Sequence, residues 1–200
     1  MSSGCILVTG GTGFVGTQLV NELLETGTRV RVLSRRALAD PRFESATTDG
    51  MSDPVCLDRI MAGVDAVCHL AGLAHRTGPD ARTLGLQFED INSTFSCRVA
   101  EAAFVRGVRR FVFVSSIGVV GNTSRPGYPL SEETPCKPAT AYAQSKWHAE
   151  RELRALAGRF HAELVVVRPP LVHGTGAPGN LARLARWIDR GIPLPLAGID

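Results

Sequence analysis

The chain has 200 residues, 44% of them hydrophobic and 20% charged, with a formal net charge of +3 at pH 7. That size suits one domain, or one domain and the start of a second, and the composition is that of an ordinary globular chain. It carries no basic block with interleaved aromatics, which argues against nucleic-acid binding, and no apolar run long enough to cross a bilayer.

In chain order, residues 5–9 form a short apolar run that reads as a strand, followed by a glycine-rich loop. Val15, Leu19, Leu23 and Leu24 then recur at helical spacing. Residues 28–33 read as a second strand and 42–48 as a weaker third. A short helix is expected over 54–61 and a buried strand over 64–71. Ile91, Phe95, Val99 and Ala103 mark another helix, and 110–115 another strand. A long irregular stretch, 118–137, is rich in Gly, Pro, Ser and Thr. Loops of that length are more often functional than idle. Residues 141–157 read as a helix, 162–168 as a strand and 181–188 as a last helix. Strands alternating with helices imply an α/β fold: a doubly wound parallel sheet with helices on both faces. Ligands of such sheets bind beyond the carboxyl ends of the strands. Residues 192–200 carry no usable termination signal and read like a cut through a larger protein.

The five cysteines, Cys5, Cys56, Cys68, Cys97 and Cys136, form no Cys-x-x-Cys pair. Cys5, Cys68 and Cys97 lie in apolar runs and read as small core residues. An odd count without pairing motifs, and no leader before the first strand, fit a reduced, cytoplasmic setting. His75, His148, His161 and His173 lack metal-ligand spacing, so no metal is expected.

Thr9-Gly-Gly-Thr-Gly-Phe-Val-Gly16 joins the first strand to the first helix. That context gives the glycine spacing meaning. Gly10 permits a tight turn, Gly13 lets a pyrophosphate approach the backbone, and Gly16 lets the helix pack close to the sheet. The helix N-terminus, at Phe14 and Val15, then turns its amides toward phosphate. An acidic residue ending the second strand would grip a ribose 2′-hydroxyl. This chain has Ser34-Arg35-Arg36 there. Arginines suit a 2′-phosphate, so NADP(H) is favoured over NAD(H).

Tyr142-Ala-Gln-Ser-Lys146 places a tyrosine and a lysine four apart on one helical face, in a chain with only two tyrosines and two lysines. An ammonium so placed can stabilise a phenolate. A tyrosine that titrates near 10 must shift by roughly 3 pH units to act near neutrality. Val114-Ser-Ser116 ends the preceding strand.

With these motifs in place the chain resembles the extended short-chain dehydrogenase/reductase family, and within it the nucleotide-sugar epimerase/dehydratase group. The likeness runs over essentially the whole chain: the loop ending at Gly16, His69-Leu-Ala-Gly72, Asn92, Val114-Ser-Ser116, Tyr142-x-x-x-Lys146 and Arg168-Pro-Pro-Leu-Val-His-Gly174. The resemblance implies a catalytic set of Tyr142 as acid/base, Lys146 as its helper and Ser116 orienting the substrate oxygen. Ser116 is placed by counting back from Gly121, and Ser115 is the neighbouring alternative. Leu70, Ala71 and Gly72 would line the cofactor groove, with His69 a structural strand-end residue. Pro169, Leu171 and Val172 would flank the nicotinamide or the sugar. The family's Gly-Asp adenine contact stands here in reversed order, as Asp49-Gly50. The family's tyrosine before Gly121 is Val120. Ile117-Gly118 replaces the Asp-Glu pair of the 4,6-dehydratases, which argues against dehydration.

The resemblance further implies hydride transfer at C4 of a nucleotide sugar, UDP-linked, by an epimerase or a 4-keto reductase of surface-polysaccharide synthesis. A non-catalytic NAD(P)-sensing protein is the alternative on the same fold. The expected organisation is an NAD(P)-binding domain over 1–170 and the start of a substrate lobe over 171–200, so cofactor should bind better than sugar. Family dimers pair two helices from each copy into a four-helix bundle. Phe95, Val99, Trp147 and Leu153 are the seam candidates, with packing on the chain's own sheet as the other role.

Overall fold

The computed structural model describes residues 4–48, 54–74, 80–124, 127–174, 176 and 180–191. Two compact units divide the chain, Met1–Pro170 and Leu171–Asp200. In the first, six strands form one sheet: β1 (Cys5–Thr9), β2 (Arg29–Ser34), β3 (Glu44–Thr47), β4 (Val64–His69), β5 (Arg110–Val114) and β6 (Glu163–Val167). Every pairing is parallel, and the order across the sheet is β3-β2-β1-β4-β5-β6. This is the doubly wound arrangement expected from the alternating pattern. The chain reverses its direction of travel between β1 and β4, where such sheets open a crevice at their carboxyl edge.

The helices of this unit are α1 (Phe14–Glu25), α2 (Pro54–Ile60), α3 (Ala81–Glu89), α4 (Phe95–Val105) and α5 (Ala141–Phe160). The second unit contains α6 (Asn180–Asp189). The core has two layers. On one face Leu7, Val67, Phe111 and Phe113 of the strands meet Val99, Ala103 and Phe104 of α4 and Ala149 and Leu153 of α5. On the other, Val8, Val30 and Val32 meet Val20 of α1.

Most expected elements recur with ends moved by one to three residues. The third strand, Glu44–Thr47, is shorter than 42–48, and β4 stops at His69, leaving Leu70 and Ala71 in the loop beyond it. Helix α3 is not among the elements that the sequence predicts. It is only nine residues long, includes Gly85 and buries only Phe88, so its apolar face is short. Asp80 starts it: the side chain accepts from the Arg82 and Thr83 amides. A single π-helical turn, Asp90–Thr94, then joins α3 to α4. Such turns often mark functional sites.

Three of the four seam candidates do not face outward. Phe95, Val99 and Leu153 are buried in the chain's own core, so their role is packing on the sheet. Trp147 is half-buried, under the guanidiniums of Arg154 and Arg168. Among the described residues no helix is long and apolar enough to cross a membrane.

Candidate active site

The glycine loop is fixed by close approach on two sides. Gly10 has φ +71°, a left-handed conformation, and a Cβ there would lie 2.6 Å from the Ala71 nitrogen. The end of β1 therefore packs directly on the Leu70-Ala71 backbone. At Gly16 a Cβ would lie 2.1 Å from the Gly10 carbonyl oxygen, which already accepts the Gly13 amide at 2.9 Å. Gly13 is the N-cap of α1, where no side chain caps the helix and no acid sits in the first turn. The amides of the first turn are thus left for an anionic ligand, with the helix dipole favouring it. These features fit the pyrophosphate of a dinucleotide.

Ser34 ends β2, and its hydroxyl donates to the Arg36 carbonyl, shaping the turn that presents Arg35 and Arg36. Both arginines are exposed, and no salt bridge involves either among the described residues. Asp49 and Gly50, the expected adenine contact, lie outside the described residues. Leu171 and Val172 are exposed and belong to the second unit.

A buried relay ties the loop to the π-helical turn. The Ala71 amide donates to Thr9 Oγ1 at 3.1 Å, and Thr9 Oγ1 lies 2.9 Å from His69 Nδ1. His69 Nε2 lies 2.9 Å from Ser96 Oγ, which donates to the Asn92 carbonyl at 2.8 Å. Since each hydroxyl has one proton, Thr9 donates to Nδ1 and Nε2–H donates to Ser96. The ring is neutral, fully buried and in contact with Phe95, Phe111 and Phe113. Burial, with the Lys146 charge nearby, lowers its pKa to about 3. The structural role expected for His69 follows. The sign of its pH effect is fixed. Between the unfolded value near 6.5 and about 3, the unfolded chain binds the proton and the folded chain does not. Stability is therefore full above pH 6.5 and falls as the pH drops toward 3. His69→Gln is expected to flatten that acid limb in urea titrations at pH 4–7, and an unaltered limb would assign the loss to other groups.

Tyr142 sits in the first turn of α5, capped by Thr140, whose hydroxyl accepts from the Ala143 amide at 3.1 Å. The Phe88 ring packs edge-on against it at 5.8 Å. The element missed in the sequence thus supplies one wall of the tyrosine site. Burial raises the Tyr142 pKa, and a hydrogen bond with the Ser116 side chain partly opposes this. The structure therefore brings Ser116 and Tyr142 together. The expected lowering of the phenol is not seen, because burial outweighs it.

Lys146 is buried one turn further on. Its ammonium donates to the Val114 carbonyl at 3.0 Å and lies 4.7 Å from the centre of the Phe113 ring. A Cβ on Gly72 would come within 3.1 Å of both Lys146 Nζ and Asn92 Oδ1, so all three meet at one point. Burial lowers the Lys146 pKa to about 8, and Glu150 opposes that shift. Asn92 is itself buried: Oδ1 accepts from the Leu73 amide at 2.7 Å, and Nδ2 donates to the Leu73 carbonyl and to Ser145 Oγ.

Ser115 faces away from this centre. Its hydroxyl donates to Glu150 Oε1 at 2.6 Å, which leaves Ser116 as the serine at Tyr142. The Ile117 amide donates to the Pro169 carbonyl at 3.0 Å and brings Pro169 beside the serine pair. Glu150 was not singled out in the sequence. Its signal was an acid four residues after Lys146 on the same helix face.

The family profile described as NAD dependent epimerase/dehydratase matches residues 6–197. A UDP-glucose 4-epimerase of Vibrio cholerae is 36% identical over 199 residues, 97% of this chain and 60% of that protein. An Escherichia coli O157:H7 protein, N-acetyl-alpha-D-glucosaminyl-diphospho-ditrans,octacis-undecaprenol 4-epimerase, is 30% identical, over 93% of this chain and 54% of its own length. Among solved structures, MoeE5 in complex with UDP-glucuronic acid and NAD superposes with a TM-score of 0.75 at 32% identity, covering 96% of this chain and 63% of that one. The chain thus spans less than two thirds of the length of each of these relatives.

Proposed function

The chain belongs to the NAD dependent epimerase/dehydratase family, and from that membership we propose that it carries the hydride-transfer site of a UDP-sugar 4-epimerase or 4-keto reductase. The observation that carries this reading is the hydrogen bond between Ser116 and Tyr142, with buried Lys146 one turn further along the same helix and its ammonium on the Val114 carbonyl. Residues 1–170 are read as the NAD(P)-binding domain and 171–200 as the start of a substrate lobe.

A bound nicotinamide nucleotide would accept or supply the hydride. Gly10, Gly13, Gly16 and the amides of the α1 N-terminus would hold its pyrophosphate. Leu70, Ala71, Gly72 and Pro169 would line its path toward the tyrosine. Because burial raises the Tyr142 pKa, the phenol keeps its proton at neutral pH. It is ready to protonate a carbonyl oxygen, the reductive direction. In the oxidative direction Tyr142 must take a hydroxyl proton, and the Lys146 ammonium one turn away favours the phenolate that this needs. Ser116 would share the substrate oxygen with Tyr142 and fix its angle.

The exposed pair Arg35 and Arg36 favours NADP(H) and, with it, the reductase, since NADPH is a consumed reductant. The similar proteins favour the epimerase: two carry 4-epimerase names, and the MoeE5 structure holds NAD. A role in bacterial surface-polysaccharide synthesis is supported by the undecaprenol-linked substrate in the name of one relative. Pairing of two copies through α4 and α5 is proposed through their outer faces, where Trp147 alone of the four seam candidates is not buried.

Calorimetry tests the cofactor site. NADPH is expected to bind at least tenfold tighter than NADH, and R35A/R36A should remove that preference. Equal affinities in the unaltered chain would reject the NADP assignment, and no binding of either would reject the site. A UDP-sugar should bind more weakly than the dinucleotide. Interconversion of UDP-sugars without net nucleotide consumption marks an epimerase, and NADPH consumption with a 4-keto sugar marks a reductase.

A further inference from the structure

Glu150 is fully buried, a costly position for a carboxylate without partners. Two of its partners, Ser115 and Arg168, lead to segments of the candidate site. Oε1 accepts from Ser115 Oγ at 2.6 Å and from Arg168 Nε at 2.9 Å. Oε2 accepts from Arg168 Nη2 at 2.6 Å and from Arg154 Nη2 at 3.0 Å. Ser115 is the neighbour of Ser116 at the end of β5. Arg168 follows β6 directly and precedes Pro169. Glu150 itself lies one turn after Lys146 and two turns after Tyr142 on α5. The β5 and β6 ends are also joined by backbone: the Ser115 amide donates to the Val167 carbonyl at 2.7 Å.

We propose that Glu150 is a positioning residue for proton transfer: its carboxylate locks the helix bearing Tyr142 and Lys146 to the strand ends bearing Ser116 and Pro169, and places a negative charge one helical turn from Lys146. This rests on the reading of Tyr142 and Lys146 as the proton-transfer pair. Among the described residues, the other groups placed around Lys146 carry no negative charge: the Tyr142 phenol on its own helix, the Asn92 amide of the π-helical turn, neutral His69 on β4, and the Val114 carbonyl and Phe113 ring on β5. Arg168 and Arg154 are both bonded to the carboxylate. A purely structural ion pair would hold the fold without governing the Lys146 proton. A positioning charge does both.

The chain has only two lysines, so lysine side-chain NMR resolves Lys146 against Lys137 as an internal control. In the unaltered chain Lys146 is expected to titrate near pH 8. E150Q keeps the shape and removes the charge. The Lys146 midpoint should then fall by half a pH unit or more, with Lys137 unmoved, because a lost anion disfavours the ammonium. A midpoint unchanged in a folded E150Q would overturn the proposal and leave Glu150 a structural residue. Should E150Q fail to fold for want of a partner to Arg168, the double variant E150Q/R168Q is compared with R168Q, so that the Arg168 charge is absent from both. A Lys146 midpoint lower in the double variant than in R168Q supports the proposal, and equal midpoints reject it. None of these readouts needs turnover. A lowered midpoint together with full activity in Y142F would retain the charge coupling and reject the catalytic reading instead.

Discussion

Replacing Tyr142 with phenylalanine is expected to slow hydride-linked turnover by about 10²- to 10⁴-fold, the usual contribution of a positioned general acid or base. The ring should stay in place. It is packed edge-on against Phe88, and phenylalanine keeps that contact. The lost hydroxyl is the one whose proton affinity is set by burial against the Ser116 hydrogen bond. Nucleotide affinity should change little, since the glycine loop and the Arg35/Arg36 turn are untouched. Absorbance of the reduced nicotinamide in single turnovers, with calorimetry for binding, separates the two effects. Undiminished turnover in Y142F would remove Tyr142 from the mechanism and favour a binding or sensing protein on this fold.

Gly16→Ala should abolish tight nucleotide binding while the rest of the sheet folds. The added Cβ would lie 2.1 Å from the Gly10 carbonyl oxygen and 2.8 Å from the Gly11 Cα, so backbone must move. Gly10 cannot yield easily, because it is wedged against Leu70 and Ala71 and its carbonyl holds the Gly13 amide. The displacement falls on the turn that aims the α1 amides. A loss of about 100-fold in NADPH affinity, or about 2.7 kcal/mol, is expected. Overpacking of this kind also costs about 1–3 kcal/mol of stability, visible as a lower Tm. NADPH affinity within threefold of the unaltered chain would show that the loop does not hold the pyrophosphate.

The sheet, its parallel sense and its helices were legible because they follow from local periods. Short apolar runs alternate with residues three and four apart, and few topologies join such elements. The helix Ala81–Glu89 escaped because it buries only Phe88. Phe95, Val99 and Leu153 show the limit of period alone. Their spacing marks an apolar helix face without telling whether sheet or second copy covers it, and the structure puts all three on the sheet. Within the site, Tyr142, Lys146 and Ser116 could be named from motif and resemblance, but the balance of their charges could not. Tyr142 is raised by burial, which the hydrogen bond with Ser116 only partly opposes, and the Lys146 ammonium is bonded to the Val114 carbonyl.

By itself the sequence determined where backbone must bend and where side chains repeat: the glycines between β1 and α1, the helical register of Tyr142 and Lys146, and the arginines ending β2. These are local properties, encoded by residues within a turn or two of one another. Only the tertiary structure decided which charges are buried and what faces them. Glu150 reaches Ser115, 35 positions away, and Arg168, 18 positions away, while His69 meets Thr9 across 60. Desolvation and pairing depend on everything packed around a group, so they came into view only when the sheet and its helices were closed together.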